Sequence, residues 1–196
     1  MALVAVPTVA SVVGCATPQP VPSDRRGLID ILSALDSPDR SETSRPEATS
    51  YDLREIQKMA ASWQLPLANV EINSPYGRRG NKFHDGLDLK AGVGTPVYAV
   101  GEGVVAYSGN KIHGYGRMIV IDHGNEIYTV YAHHHKNFKK LGDHVQKGDR
   151  IALSGRSGRV SGPHLHFEVR KGSLPVNPLD VLPVSDRVIA SSKKSE

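Results

Sequence analysis

The chain has 196 residues, 39% hydrophobic and 22% charged, and carries a net charge of +4. This is long enough for one domain with extensions. The mild basic charge suits a polyanionic neighbourhood, but no basic run exceeds two residues and no aromatic–basic ladder is present, so nucleic acid is not expected as a partner. The only cysteine is Cys15, which excludes intramolecular disulfides and thiolate zinc sites. Aromatic residues are few at 6%, against 19 Gly and 13 Pro, a balance that favours turn-rich β structure over a helical bundle.

In chain order, residues 1–17 carry no charged side chain, and Val12-Val13-Gly14-Cys15 resembles a bacterial lipobox. Residues 1–15 are therefore expected to form a lipoprotein-type signal segment, with a lipid anchor on Cys15. The apolar run is short for a membrane span and contains Pro7. Residues 16–50 turn polar and proline-containing and read as a tether. Within it, Leu28, Ile29, Ile31, Leu32 and Leu35 form a stripe at helical spacing, with Asp24 as N-cap. Residues 51–66 read as a packing helix and lead-in, with Leu53, Ile56, Met59, Ala60 and Trp63 near one face and Pro66 as a stop. From residue 67 to 183, short strands alternate with glycine turns. Val97 to Tyr107 reads as a strand pair around Gly101-Glu-Gly103, and Gly124-Asn125 reads as the turn of a hairpin. The pattern predicts a mostly β fold, an antiparallel sandwich or open barrel, with one or two short N-terminal helices. Residues 184–196 are expected to be a flexible tail.

The chemistry concentrates in Gly158-Arg-Val-Ser-Gly-Pro-His-Leu-His-Phe-Glu-Val169. On a strand His164 and His166 share a face. A second group, His84-Asp-Gly-Leu-Asp88, also reads as a strand, with an even separation that places His84 and Asp88 on one face. Two neighbouring strands could then aim two or three imidazoles and a carboxylate into one groove. A two-His, one-carboxylate set leaves a coordination position open, as catalytic zinc sites do. A third source is Thr129-Val-Tyr-Ala-His-His-His135. There His133 continues the Thr129 and Tyr131 face and could reach the same groove, while His134 reads as surface decoration.

These motifs resemble the lysostaphin-type zinc endopeptidases of bacterial cell walls, the LytM-domain family. The pattern is His84-x-x-x-Asp88, then Tyr131-x-His133, then His164-x-His166. Flanking matches include Gly94-Thr-Pro-Val-Tyr-Ala99, Gly142-Asp-His-Val145 and Val176-Asn-Pro178. The resemblance spans about residues 68 to 183. It implies a substrate groove, one zinc ion per domain held by His84, Asp88 and His166, and His133 and His164 as catalytic histidines sharing the proton-transfer and oxyanion roles. It implies peptidoglycan as substrate and partner. Cys15 followed by Ala16, resembling outer-membrane lipoproteins, points to the D-alanyl–diaminopimelate cross-link and to the periplasmic side of the outer membrane. The chain has no His-Glu-x-x-His motif, so a histidine must stand in for the usual glutamate base.

Other readings weigh less. A non-enzymatic or autoinhibited member that activates a cell-wall amidase would be expected to lack ligands, and here all three are present. A non-haem iron site shares the donor types but has no use for His133 and His164. A lipoyl or biotinyl carrier lacks a lysine at a suitable hairpin tip. His113, His123 and His144 read as structural, and Arg78, Arg79 and Lys82 as a solvated loop.

Overall fold

The computed structural model describes residues 25–37 and 52–183. The expected signal segment ending at Cys15, the Asp24 cap, most of the tether and the tail lie outside the described residues.

Two helices precede the strands: α1 (Arg25–Asp36) and α2 (Leu53–Ala60). The strands are β1 (Ile72–Ser74), β2 (Gly77–Arg79), β3 (Lys82–His84), β4 (Leu87–Lys90), β5 (Pro96–Tyr98), β6 (Gly103–Gly109) and β7 (Met118–Asp122). They continue with β8 (Ile127–Ala132), β9 (Lys136–Asn137), β10 (His144–Val145), β11 (Arg150–Leu153), β12 (His164–Lys171) and β13 (Leu174–Val176), before a 3-10 turn at Pro178–Asp180.

The main sheet runs β1-β4-β12-β8-β7-β6-β10, with β13 also pairing β12. A smaller sheet runs β5-β11-β9, and β2-β3 is a separate hairpin. The pairs are antiparallel throughout, so the expected fold class holds. One local expectation does not: β5 and β6 do not pair with each other. β5 pairs with β11, and β6 pairs with β7 and β10. The Gly101-Glu-Gly103 stretch is thus a crossing from one sheet to the other. It passes under Trp63, where a Cβ on Gly101 would lie 2.4 Å from the indole nitrogen.

Strand β12 is the centre of the main sheet. β4 lies beside its first half and β13 beside its second, with β8 along the other edge. Its alternation divides the molecule. Leu165, Phe167 and Val169 point into the main core with Leu87, Leu89, Ile119, Ile121 and Tyr131. That core is closed by Val97 and Ile151 of the small sheet and by Ile56 and Ala60 of α2. Asp52 caps α2, its carboxylate accepting from Arg54 N at 2.9 Å. On the other face a second cluster joins Ala106, Met118, Val120, Tyr128 and Val130 to Ile31 and Leu35 of α1. Ile29 belongs to the predicted stripe but is 62% exposed. It lies a helical step outside the face that Leu28, Ile31, Leu32 and Leu35 present, so α1 buries a narrower stripe than the spacing suggested.

Candidate metal centre and active site

The polar face of β12 carries His164, His166, Glu168 and Arg170, all buried. In register His166 stands opposite Asp88 on β4 and Ala132 on β8. Asp88 therefore reaches His166 across neighbouring strands, as expected. His84, however, does not share a strand with Asp88. It ends β3, the chain breaks at Asp85-Gly86, and Asp88 lies on β4. Gly86 allows the break to sit tight on β12, because a Cβ there would fall 2.2 Å from Phe167 O and 2.8 Å from Glu168 Cγ.

Three donor atoms converge. His84 Nε2 is 3.1 Å from Asp88 Oδ1 and 3.1 Å from His166 Nδ1, and His166 Nδ1 is 2.9 Å from Asp88 Oδ1. The outward nitrogens are engaged elsewhere. His84 Nδ1–H donates to Pro75 O at 2.6 Å, and His166 Nε2–H donates to Glu168 Oε1 at 2.8 Å. Arg79 Nη2 also lies 2.6 Å from His84 Nδ1; with the ring proton of His84 on the Pro75 side, the lone pairs of His84 Nε2 and His166 Nδ1 face the shared space, beside a carboxylate oxygen. Three converging lone-pair donors repel unless a cation or a proton sits among them. Without a metal the proton does so. Burial works against charge on His166, but its hydrogen bonds to Asp88 and Glu168 prevail and raise its pKa to about 9. Burial likewise opposes charge on Asp88, yet the imidazoles of His164, His166 and His84 gathered around its carboxylate hold it well below the usual carboxylate range. Burial lowers the pKa of His84. An anionic carboxylate and two imidazoles that turn their lone pairs inward fit zinc, and a metal ion would take the place of the His166 proton. Arg79, expected in a solvated loop, donates to Asp88 Oδ2 at 2.8 Å, the oxygen turned away from the shared space.

His133 arrives by a different route from the one expected. Thr129 and Tyr131 face the main core, with the Tyr131 hydroxyl accepting from Val100 N and Thr129 Oγ1. Strand β8 ends at Ala132, and His133 has φ +64°. That left-handed turn swings its side chain over to the histidine face. Its ring centroid lies 4.8 Å from that of His164 and 5.8 Å from that of His166. His133 Nδ1–H donates to Ser157 O at 2.9 Å and His164 Nδ1–H to Gly162 O at 3.0 Å, which leaves the Nε2 of His133 with its lone pair to take a proton. Burial first, then the charges of His166 and His164, press the His133 pKa down to about 3, so it is neutral near pH 7. His164 Nε2 lies 3.5 Å from Asp88 Oδ1.

The five residues His84, Asp88, His133, His164 and His166 line one cavity of about 620 Å³, bordered also by Arg159, His113 and Ser37. Helix α1 packs beside it, on the same sheet face, and Asp36 Oδ1 accepts from His113 N at 2.9 Å. His113 thus borders the site. His134, expected at the surface, is wholly buried, with Nδ1 at 2.7 Å from Asn137 Oδ1. The turn at His133 brings it inward. His123 is structural, as expected. It packs its ring 4.8 Å from Trp63 and bonds Thr129 Oγ1 at 2.8 Å. His144 stays exposed on β10.

Glu168, Arg170 and Tyr115 were missed in the sequence. A signal for two of them existed: polar residues at every second position from His164 to Arg170, alternating with apolar ones, mark a strand face that is polar over its whole length. Tyr115 had none, since it lies far away in the chain, in a glycine-rich loop.

Residues 82–178 match the model of peptidase family M23. The DD-carboxypeptidase/endopeptidase Mpg of Neisseria meningitidis serogroup B is 40% identical over 136 residues, which cover 66% of this chain and 31% of that protein. The uncharacterised lipoprotein YgeR of Escherichia coli is 40% identical over 123 residues, covering 62% of this chain and 47% of that protein. The chain thus spans less than half the length of either. Among solved structures, the catalytic domain of the prophage-encoded M23 protein EnpA from Enterococcus faecalis aligns with a TM-score of 0.56 at 31% identity, over 60% of this chain and 95% of that one. Converging donors, a second pair of histidines beside them and these likenesses agree: the chain belongs to peptidase family M23, the lysostaphin-type metallopeptidases.

Proposed function

We propose that this chain is a zinc-dependent peptidoglycan endopeptidase that hydrolyses peptide cross-links of the cell wall, of the D-alanyl–diaminopimelate type. The observation that carries the reading is the placing of three inward-facing donors and two further histidines around one open cavity. The Neisseria relative's name, DD-carboxypeptidase/endopeptidase, supports the substrate class.

His84, Asp88 and His166 would hold the ion. A bound zinc supplies an acidified water near neutral pH and polarises the scissile carbonyl. The histidines of the chain do the rest. His133, neutral at pH 7 with Nε2 free, is suited to accept the proton of the attacking water. His164, whose Nε2 faces Asp88 Oδ1 at 3.5 Å, is suited, once that nitrogen carries a proton, to hydrogen-bond the developing oxyanion or to hand the proton to the leaving amine. The net change is addition of water across the amide: the acyl carbon gains the hydroxyl and the amine nitrogen gains the proton. Arg159 borders the same cavity and offers a cation to the carboxylates of a peptide stem.

The competing reading is an autoinhibited or purely activating protein whose partner is a cell-wall amidase. It draws on α1, which packs on the face that holds the site. Yet, among the described residues of that segment, only Ser37, the residue after α1, borders the cavity, and the donor set is whole, so the hydrolase is preferred. A lipid anchor at Cys15, supported by the lipoprotein name of YgeR, would hold the chain at the periplasmic side of the outer membrane. The test is to incubate purified sacculi with the full chain, with and without a zinc chelator, and to separate the muropeptides. Loss of cross-linked dimers that the chelator prevents is expected. Unchanged dimers, with amide hydrolysis appearing only when an amidase is added, would replace the enzyme by the activator.

A further inference from the structure

Glu168 is fully buried on the polar face of the central strand, two residues beyond His166. A carboxylate in such a place is unfavourable unless each oxygen is engaged, and here both are. Oε1 accepts from His166 Nε2–H at 2.8 Å and from the Tyr115 hydroxyl at 2.6 Å. Oε2 accepts from Arg170 Nη1 at 2.6 Å. Arg170 is itself 3% exposed, donates to Ser173 O, and lies 3.8 Å from Asp85 Oδ2. Asp85 is the residue after His84, at the break between β3 and β4.

We propose that Glu168, braced by Tyr115 and Arg170, is the positioning residue for the metal ligand His166. It takes up the Nε2–H, so that Nδ1 alone carries the lone pair, and it fixes the ring angle that points this lone pair at His84 Nε2 and Asp88 Oδ1. The proposal rests on the zinc reading of the site.

Three features support the assignment. The carboxylate meets the imidazole on the nitrogen that does not face the donor cluster, which is the place from which an outer partner sets tautomer and basicity. The brace comes from two separate stretches of chain, the 110–117 loop through Tyr115 and strand β12 through Arg170, so the carboxylate cannot swing away with either alone. Space for it is reserved, since a Cβ on Gly86 would lie 2.8 Å from Glu168 Cγ. The same loop is tied to α1 by the Asp36–His113 hydrogen bond, so the brace is anchored outside the strands that bear the ligands.

The experiment measures zinc affinity of the full chain by competition with a chromophoric chelator, together with the visible absorption spectrum of the cobalt-substituted protein. Wild type, Glu168→Gln and Tyr115→Phe are compared, with circular dichroism to establish that each is folded. Wild type is expected to bind one zinc. Folded Glu168→Gln is expected to bind it about 10–100-fold more weakly, with an altered cobalt spectrum. Tyr115→Phe, which keeps every charge, is expected to show a smaller loss in the same direction. If Glu168→Gln does not fold, Tyr115→Phe decides alone. Wild-type affinity and an unchanged cobalt spectrum in the folded variants would overturn the positioning role while leaving the zinc site intact. A wild-type chain that binds no zinc would overturn the zinc reading itself, a distinguishable result.

Discussion

The two faces of strand β12 are both buried and do opposite work. On one, Leu165, Phe167 and Val169 belong to the main apolar cluster. On the other, His164, His166, Glu168 and Arg170 are almost as inaccessible, yet nearly every polar atom has a partner. Burial therefore does not separate scaffold from site in this molecule. The difference lies in what burial does to charge. The core face excludes water and gains roughly 1.5–3 kcal/mol for each large apolar side chain. The polar face excludes water too, but there the desolvation sharpens electrostatics: Asp88 is held ionised and His166 charged in the metal-free protein, while His133 is held neutral. One strand can carry both because alternation puts adjacent residues in different environments.

Substitutions that strike one face and spare the other would break this contrast. The largest effect is expected for Asp88→Ala, which should remove zinc binding and hydrolysis together, beyond the about 10–100-fold that outer partners cost. Metal content by mass spectrometry alongside turnover would check it. His133→Ala should keep the metal and lower kcat by about 10²–10⁴-fold; full activity in a zinc-loaded variant would remove His133 from the proton-transfer role. Phe167→Ala, one residue from His166 but on the other face, should cost about 3–5 kcal/mol of stability by denaturant unfolding while zinc affinity of the folded fraction is unchanged.

Acid sharpens the comparison further. His123 and His134 are buried without carboxylate partners, and desolvation lowers each pKa from 6.5 to about 4. Between those values the unfolded chain binds more protons than the folded one, so stability rises with pH there. The stabilisation is complete above about pH 6.5 and is lost as pH falls through about 4. Chelated protein should therefore melt at progressively lower temperature from pH 6.5 to pH 4, and His123→Gln should flatten that slope. The smallest effect is expected for Ile29→Ala, at a position 62% exposed. It should shift stability by no more than about 0.5 kcal/mol, whereas Ile31→Ala, one face inward on the same helix, should loosen α1 measurably by hydrogen exchange.

Much of the site was legible because its chemistry lies in short motifs. His164 and His166 share a strand face by period alone, and their alternation with Leu165 and Phe167 marked both faces at once. The route of His133 was not legible. Its apparent continuity with Thr129 and Tyr131 was misleading, because the strand ends one residue earlier and a left-handed residue reverses the side-chain direction. Nothing in a His-His-His triplet states which residue turns. The same turn sends His134 inward, contrary to its polar appearance. Likewise His84 and Asp88 looked like one strand, since an even spacing cannot reveal a break at Asp85-Gly86.

What the sequence by itself determined was the kind of donors, their order along the chain and the β character of the domain, because these follow from residue type and local period. What only the tertiary structure decided was which atoms meet. Tyr115 reaches Glu168 across 53 positions and His84 reaches His166 across 82, and α1 seals the apolar half of the face whose other half holds the site. Those juxtapositions depend on sheet register and on one left-handed turn, which are settled by packing the whole chain and not by any stretch of it.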